Sequence, residues 1–164
     1  MLSEEELKER NHRIAAKAVA YIKQSGVKTV HIFLPILAKK EVDTWLIIQA
    51  LDKEVQFVVP RMRSGGELDH YLLDEQCLVK VNNWGVPEPV QGNLADVVGL
   101  DMILVPLIVA DKQGHRIGYG KGFYDRFLEK TKVPAIGLSL LPLLDNIEQV
   151  ESHDTPLDSV LTPA

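Results

Sequence analysis

The chain has 164 residues, 46% of them hydrophobic and 25% charged, as expected of one soluble globular domain that needs no disulfide or metal staple. Its formal charge of −5 argues against nucleic-acid binding over a broad basic face, and no apolar run approaches the roughly 20 residues of a membrane span. The single cysteine, Cys77, permits neither an internal disulfide nor a cysteine-cluster metal site and reads as a small buried residue.

In chain order, the start Met1-Leu2-Ser3-Glu4-Glu5-Glu6 is acidic and lacks the basic and apolar regions of a signal peptide, so the expected location is cytoplasmic. Ser3 and Glu6 have the spacing of a capping box, Leu7, Ile14, Ala18 and Ile22 share one helical face, and Gly26 ends the pattern. Residues 27–34 form a β-rich stretch closed by Pro35, and a second helix fits residues 42–51, with Trp45, Ile48 and Leu51 on one stripe. A short apolar strand follows at 55–59 and stops at Pro60. This β-α-β alternation, with strands apolar on both faces, predicts an α/β fold whose sheet is covered by helices on both sides.

Residues 68–73 and 77–81 are weaker strand candidates, and 82–89 read as a turn-rich loop. A buried-strand run at 102–107 leads to the glycine-rich stretch 118–122, a helix near 123–130 and a strand at 133–138, and the tail 157–161 offers a last strand. No repeat or low-complexity segment divides the chain, so residues 1–164 read as a single domain.

Chemistry concentrates in Arg116-Ile117-Gly118-Tyr119-Gly120-Lys121-Gly122-Phe123-Tyr124-Asp125-Arg126. Glycines at alternate positions let backbone bend tightly and approach a ligand, and a helix starting just after them turns its free amides and positive end toward the same space. Arg116, Lys121 and Arg126 add positive charge, a combination suited to polyphosphate. The loop is not a Walker loop, because Gly122 follows Lys121 where Ser or Thr is required. It is not the dinucleotide fingerprint either, because the third glycine is missing at the required spacing. By spacing alone, an ordinary strand-to-helix turn stays open beside the phosphate reading.

These residues resemble the signature of the 5-formyltetrahydrofolate cyclo-ligase family. Four further stretches agree in order: Glu41-Val42-Asp43-Thr44, Gly85-Val86-Pro87-Glu88-Pro89, residues 101–106, and His153-Asp154-Thr155-Pro156-Leu157-Asp158 with Thr162. The resemblance implies a single-domain, three-layer Rossmann-like fold with a mostly parallel or mixed sheet. It also implies an ATP- and Mg²⁺-dependent ligase that turns 5-formyltetrahydrofolate into 5,10-methenyltetrahydrofolate, with the formyl oxygen phosphorylated and folate N10 closing the ring.

By matching position, the resemblance assigns ATP binding to Arg116, Ile117, Gly118, Tyr119, Gly120, Lys121, Gly122, Phe123 and Tyr124, with Lys121 and Arg116 catalytic. Leu34, Glu41 and Phe123 match folate-contacting positions, and Asp125 and Asp154 match Mg²⁺ ligands. The partners implied are small molecules, ATP and a reduced formyl-folate, with no nucleic acid, no membrane and no stated oligomer. Two departures stand out. Members usually begin with a basic Lys-x-x-Leu-Arg-like helix that reaches the nucleotide, which Lys8-Glu9-Arg10 does not replace in position, so either the gene start is short or ATP affinity is reduced. Leu143 stands where many members have Gln.

Plainer roles compete at several positions. Glu41 has a second reading as an acid favoured by a helix start, Asp154 as a turn cap through Thr155, and Arg126 as an i,i+3 ion-pair partner of Glu129. Tyr124 reads as packing under the loop and His153 as structural, while His12, His31, His70 and His115 have no metal-ligand spacing. A non-catalytic nucleotide- or folate-binding member of the family is the second reading of the chain, favoured by the missing basic helix. A sugar-phosphate enzyme on a similar sheet is the third, with no acid–base pair pointing to it.

Overall fold

The structure, a computed structural model, describes residues 1–118, 122–148 and 154–164. Helix α1 (Glu4–Ser25) begins on the capping box: Ser3 Oγ accepts from Glu6 N–H, and Ser3 N–H donates to Glu6 Oε2 at 2.7 Å. It ends at Gly26, whose φ of 67° lies in the left-handed region that glycine enters at no steric cost. Strands β1 (Thr29–His31), β2 (Gln56–Met62), β3 (Leu68–Leu72), β6 (Met102–Pro106), β9 (Ala135–Leu138) and β10 (Ser159–Leu161) form one sheet in the order β10-β9-β6-β1-β2-β3. All neighbours are parallel except β2 and β3. Two ribbons stand apart from it: β4 (Leu78–Val81) with β5 (Pro87–Gln91), and β7 (Val109–Ala110) with β8 (Arg116–Ile117).

Alternation along the central strands divides the core in two. Val30, Phe57, Val59, Met102, Leu104, Ile136 and Leu138 pack with α1 and with α2 (Trp45–Leu51) on one face. Val58, Ile103, Val105 and Ala135 pack with Phe127 and Leu128 of α3 (Phe123–Lys130) on the other. The expected three-layer α/β fold with a mostly parallel sheet is therefore observed.

Several boundaries differ from the sequence reading. Strand β1 covers three residues rather than 27–34, and α2 starts at Trp45 rather than at 42 because Asp43 and Thr44 form a turn. Asp43 Oδ1 accepts from Trp45 N–H, and the buried Thr44 hydroxyl donates to Phe33 O at 2.6 Å. Strand β2 runs through Pro60 instead of stopping there. Its β1 pairing covers residues 56–58, so beyond them only β3 is a neighbour and the missing proline N–H faces no partner.

The expected loop at 82–89 is a hairpin. Asn82 Oδ1 accepts from the amides of Trp84 and Val86, Gly85 turns with φ 78°, and Pro87-Glu88-Pro89 enters β5 against β4. The last strand begins at Ser159. Leu157, expected inside it, is instead buried beside Gly137. Among the described residues, no helix is long and apolar enough to cross a membrane.

Candidate active site

The chain passes from β1 through α2 to β2 on one side of β1, then returns as β6 on the other side. In an open parallel sheet, such a reversal leaves a crevice beyond the carboxyl ends of the two strands, where the connecting loops diverge to opposite faces. Residues 32–44 leave β1 there, and residues 107–122 leave β6 there. Glu41 and Leu34 lie in the first connection; Arg116 and the glycine stretch lie in the second.

In the first connection, Glu41 Oε2 accepts from Ile36 N–H at 2.7 Å and closes the segment around a 3₁₀ turn at Leu37–Lys39. The helix-start reading of Glu41 is thus replaced by a loop closure. Lys40 holds a left-handed φ of 54° within it, a conformation that costs a non-glycine residue about 1 kcal/mol or more. Leu34 is buried in the apolar cluster on the α1 side.

The second connection is built on Asp111, which is 1% exposed. Its Oδ1 accepts from the amides of Gln113 and His115, and its Oδ2 accepts from Ile147 N–H and lies 3.0 Å from His115 Nδ1. Burial alone raises this carboxyl's pKa, but those bonds reverse the effect and hold it below the usual range. Gly114, at φ 88°, lets Leu157 O come so close that a Cβ would lie 2.4 Å from it. This turn leads into β8, which carries Arg116 and Ile117.

Arg116 is only 7% exposed at its side chain. One guanidinium nitrogen donates to Thr155 O at 2.6 Å and another to Asp125 Oδ1 at 2.7 Å. Asp125 Oδ1 also accepts from Thr155 N–H. Arg116 therefore ties the start of α3 to the C-terminal segment, and it brings Asp125 beside the residue that follows Asp154. Ile117 is half-exposed, and Gly118 faces open space on the side where a Cβ would stand. Tyr119, Gly120 and Lys121 lie outside the described residues, as does His153. Gly122, with φ 67°, starts α3.

Arg126 does not form the expected pair with Glu129. Its Nε–H donates to Gly66 O at 2.9 Å, and its guanidinium stands 5.8 Å from the Phe123 ring centre. Gly66 and Gly122 flank it so closely that Cβ atoms there would lie 1.9 and 3.0 Å from guanidinium nitrogens. The segment between β2 and β3 is thereby clamped to the first turn of α3.

Tyr124 packs against the α3-side cluster, and its hydroxyl is buried with no hydrogen-bond partner among the described residues. Burial first, then the negative charge of Glu41, push its pKa up, with Arg116 pulling the other way. Cys77 is half-buried at the edge of the α1-side core, and burial raises its thiol pKa, so nothing activates it as a nucleophile. Leu143 packs against the α3-side cluster, an apolar contact that accounts for an apolar residue there.

The family model described as the 5-formyltetrahydrofolate cyclo-ligase family matches residues 1–163. The chain belongs to this family. The 5-formyltetrahydrofolate cyclo-ligase of Escherichia coli (strain K12) is 30% identical over 99% of this chain and 93% of its own length. That of Mus musculus is 28% identical over 98% and 85%. The solved 5,10-methenyltetrahydrofolate synthetase of Aquifex aeolicus, 28% identical, superposes with a TM-score of 0.80 over 99% of this chain and 82% of that one. The cyclo-ligase family expected from the glycine stretch and its companions is thus confirmed, and the sugar-phosphate alternative drops away.

Family membership also sorts the residues that carry the resemblance. Asp101 Oδ2 accepts from the amides of Lys28 and Thr29, Asp158 Oδ2 accepts from Ala135 N–H, and Thr44 closes onto Phe33. These three fasten loops and strand ends, while Arg116, Asp125 and Thr155 are bonded to one another at the start of α3. The pair His31 and His70, to which sequence spacing assigned nothing, lies under α3 with Nε2 and Nδ1 3.0 Å apart. No motif announces it, because the two residues come from different strands, 39 positions apart.

Proposed function

We propose that this cyclo-ligase family member, acting as one unit over residues 1–164, converts 5-formyltetrahydrofolate to 5,10-methenyltetrahydrofolate with ATP, releasing ADP and phosphate. The observation that carries the reading is the family match over residues 1–163, supported by the ties of Arg116 to Asp125 and Thr155 at the start of α3.

A formamide oxygen leaves poorly and a phosphate leaves well. Transfer of the γ-phosphoryl group to the formyl oxygen therefore activates the carbon, N10 attacks it, and the carbon–oxygen bond breaks as phosphate departs. Catalysis of phosphoryl transfer rests mainly on positioning and charge neutralisation. Residues 116–124 are assigned the nucleotide, with the positive end of α3 and the Lys121 ammonium facing the phosphates. Arg116 acts from beneath them: it fixes Asp125 and Thr155 and adds its charge through a short path. The Tyr124 hydroxyl, a buried donor with no partner among the described residues, is assigned to the nucleotide side of the site. Phe123 and Leu34 are assigned the folate body, and the Glu41 oxygen not used by Ile36 is assigned the donor-rich pterin edge.

Asp125 and Asp154 would hold Mg²⁺. Asp125 Oδ1 is occupied by Arg116 and the Thr155 amide, which leaves Oδ2, and Asp154 directly precedes Thr155 in the chain. Among the described residues, no group of three or more His, Cys, Asp or Glu side chains is placed to bind a metal. Two carboxylates fit a cation that draws its other ligands from nucleotide and water, and the bound ion would neutralise phosphate charge.

Isotope labelling tests the chemistry. With the formyl oxygen labelled as ¹⁸O, the label is expected in inorganic phosphate, one atom per ring closed. Label released into water instead would overturn activation by phosphorylation.

A further inference from the structure

His31 closes β1 with no exposed surface, and His70 sits in β3 opposite Pro60. Their side chains meet across β2 on the α3 side of the sheet, with His31 Nε2 3.0 Å from His70 Nδ1. Phe127 covers both rings, with centroid distances of 4.7 and 4.6 Å, and Tyr124 stands 6.4 Å from His31. His70 is only partly buried. Its remaining edge lines a cleft of about 230 Å³ between β3 and α3, walled by Leu68, Val97, Phe123, Phe127 and Lys130.

An N···N contact at this distance is one hydrogen bond, so one imidazole donates and the other accepts. Two proton arrangements satisfy it. If His70 donates through Nδ1–H, His31 must carry its own proton on Nδ1, which is buried and has no partner among the described residues. If His31 donates through Nε2–H, its Nδ1 is a bare lone pair, and His70 carries its proton on Nε2. Orphaned buried N–H donors are rarer in folded proteins than under-used acceptors, which favours the second arrangement. Among the described residues, the only side-chain bond of His70 is the one through Nδ1, so its Nε2–H is left for whatever occupies the cleft.

Adding a proton to His70 would set its Nδ1–H against the Nε2–H of His31. Relief would require moving the His31 proton to the partnerless Nδ1, so the pair opposes charging of His70. Burial lowers the pKa of both histidines, and only Asp69 pulls His70 the other way. The other charged groups around the cleft, Glu67 and Lys130, are bonded to each other at 2.8 Å.

We propose that His31 is a positioning residue that fixes the single proton of His70 on Nε2, and that His70 donates this proton's hydrogen bond to an acceptor oxygen of the folate substrate. The proposal rests on the folate reading above, since Phe123 both borders the cleft and is the aromatic assigned to the folate. It adds a specificity element that the signature residues do not include. A carbonyl or carboxylate oxygen at that point is rewarded, and a donor group there meets another donor.

Two measurements test it on the whole chain. In ¹⁵N-labelled protein, long-range nitrogen–proton correlations are expected to show His70 as the neutral Nε2–H form, shifting to a tautomer mixture in His31→Leu. A wild-type His70 protonated on Nδ1 would overturn the proposal. Calorimetric titration with 5-formyltetrahydrofolate alone is expected to give a Kd raised about tenfold in His70→Leu and restored in His70→Gln, which keeps a donor. ATP affinity of both variants should stay near that of the wild type, and titration at a temperature where circular dichroism shows each variant fully folded separates the folate effect from the stability lost when His31 Nε2–H loses its partner. An unchanged Kd in His70→Leu would overturn the proposal while leaving the cyclo-ligase reading intact. Tight folate binding without turnover would instead strike the cyclo-ligase reading and leave the proposal standing.

Discussion

Arg116 spans Thr155 O and Asp125 Oδ1 with a planar fork, a geometry an ammonium cannot copy. Removing it in Arg116→Ala takes from Asp125 its one ion-pair partner among the described residues. The expected loss is about 3 kcal/mol, the low end for a buried pair because Asp125 retains some solvent. Chemical unfolding of Arg116→Ala and Arg116→Lys checks this, with lysine recovering less than half of the loss. The two inner histidines make stability depend on pH. Their folded pKa values lie below the ordinary value near 6.5, so below that pH the unfolded chain binds more protons than the folded one. Stability should be full above about pH 6.5 and fall as the pH drops toward the folded values. Urea midpoints at pH 7.5 and 5.5 should show the drop, and His31→Leu should reduce it. Equal midpoints in the wild type would contradict the burial account.

At the scale of elements, two glycines sit where an added Cβ would force neighbouring side chains to shift. An Ala at Gly66 must adopt φ 82° and push away the Arg126 guanidinium, so the hairpin loses its bond to α3. Gly66→Ala is expected to cost about 1–3 kcal/mol and to increase hydrogen exchange at the start of α3. Gly137→Ala would bring a Cβ within 2.7 Å of both Leu157 and Leu107, an overpacking worth about 1–3 kcal/mol in thermal unfolding. The capping box and Gly26 were readable in advance because both signals are local to a helix end. The path of β2 through Pro60 was not, because it depends on which side of the strand has a neighbour. Nor was β5: Pro87 and Pro89 look like breakers until the Asn82 turn places them in an edge ribbon. The Arg126 contact with Gly66 spans 60 positions, and only the fold brings them together.

For the molecule as a whole, the glycine stretch, the companion motifs and the family were legible in sequence. The division of labour among the residues was not. Asp101 and Asp158 hold strand starts, and Asp111 organises the turn before β8. Leu34 shows the same limit, since a position matched to folate is buried in the core in this structure. The central claim is that this crevice uses ATP to close a ring on formyl-folate, with Lys121 as the cation of the glycine stretch. The most direct measurement follows methenyl-folate absorbance after adding 5-formyltetrahydrofolate and Mg-ATP to the folded protein, beside Lys121→Ala of equal thermal stability. ATP-dependent product from the wild type, with the ATP requirement weakened at least tenfold in the variant, is the expected result. Folded wild-type protein that binds both ligands and yields no product would contradict it and leave a non-catalytic binding protein in its place.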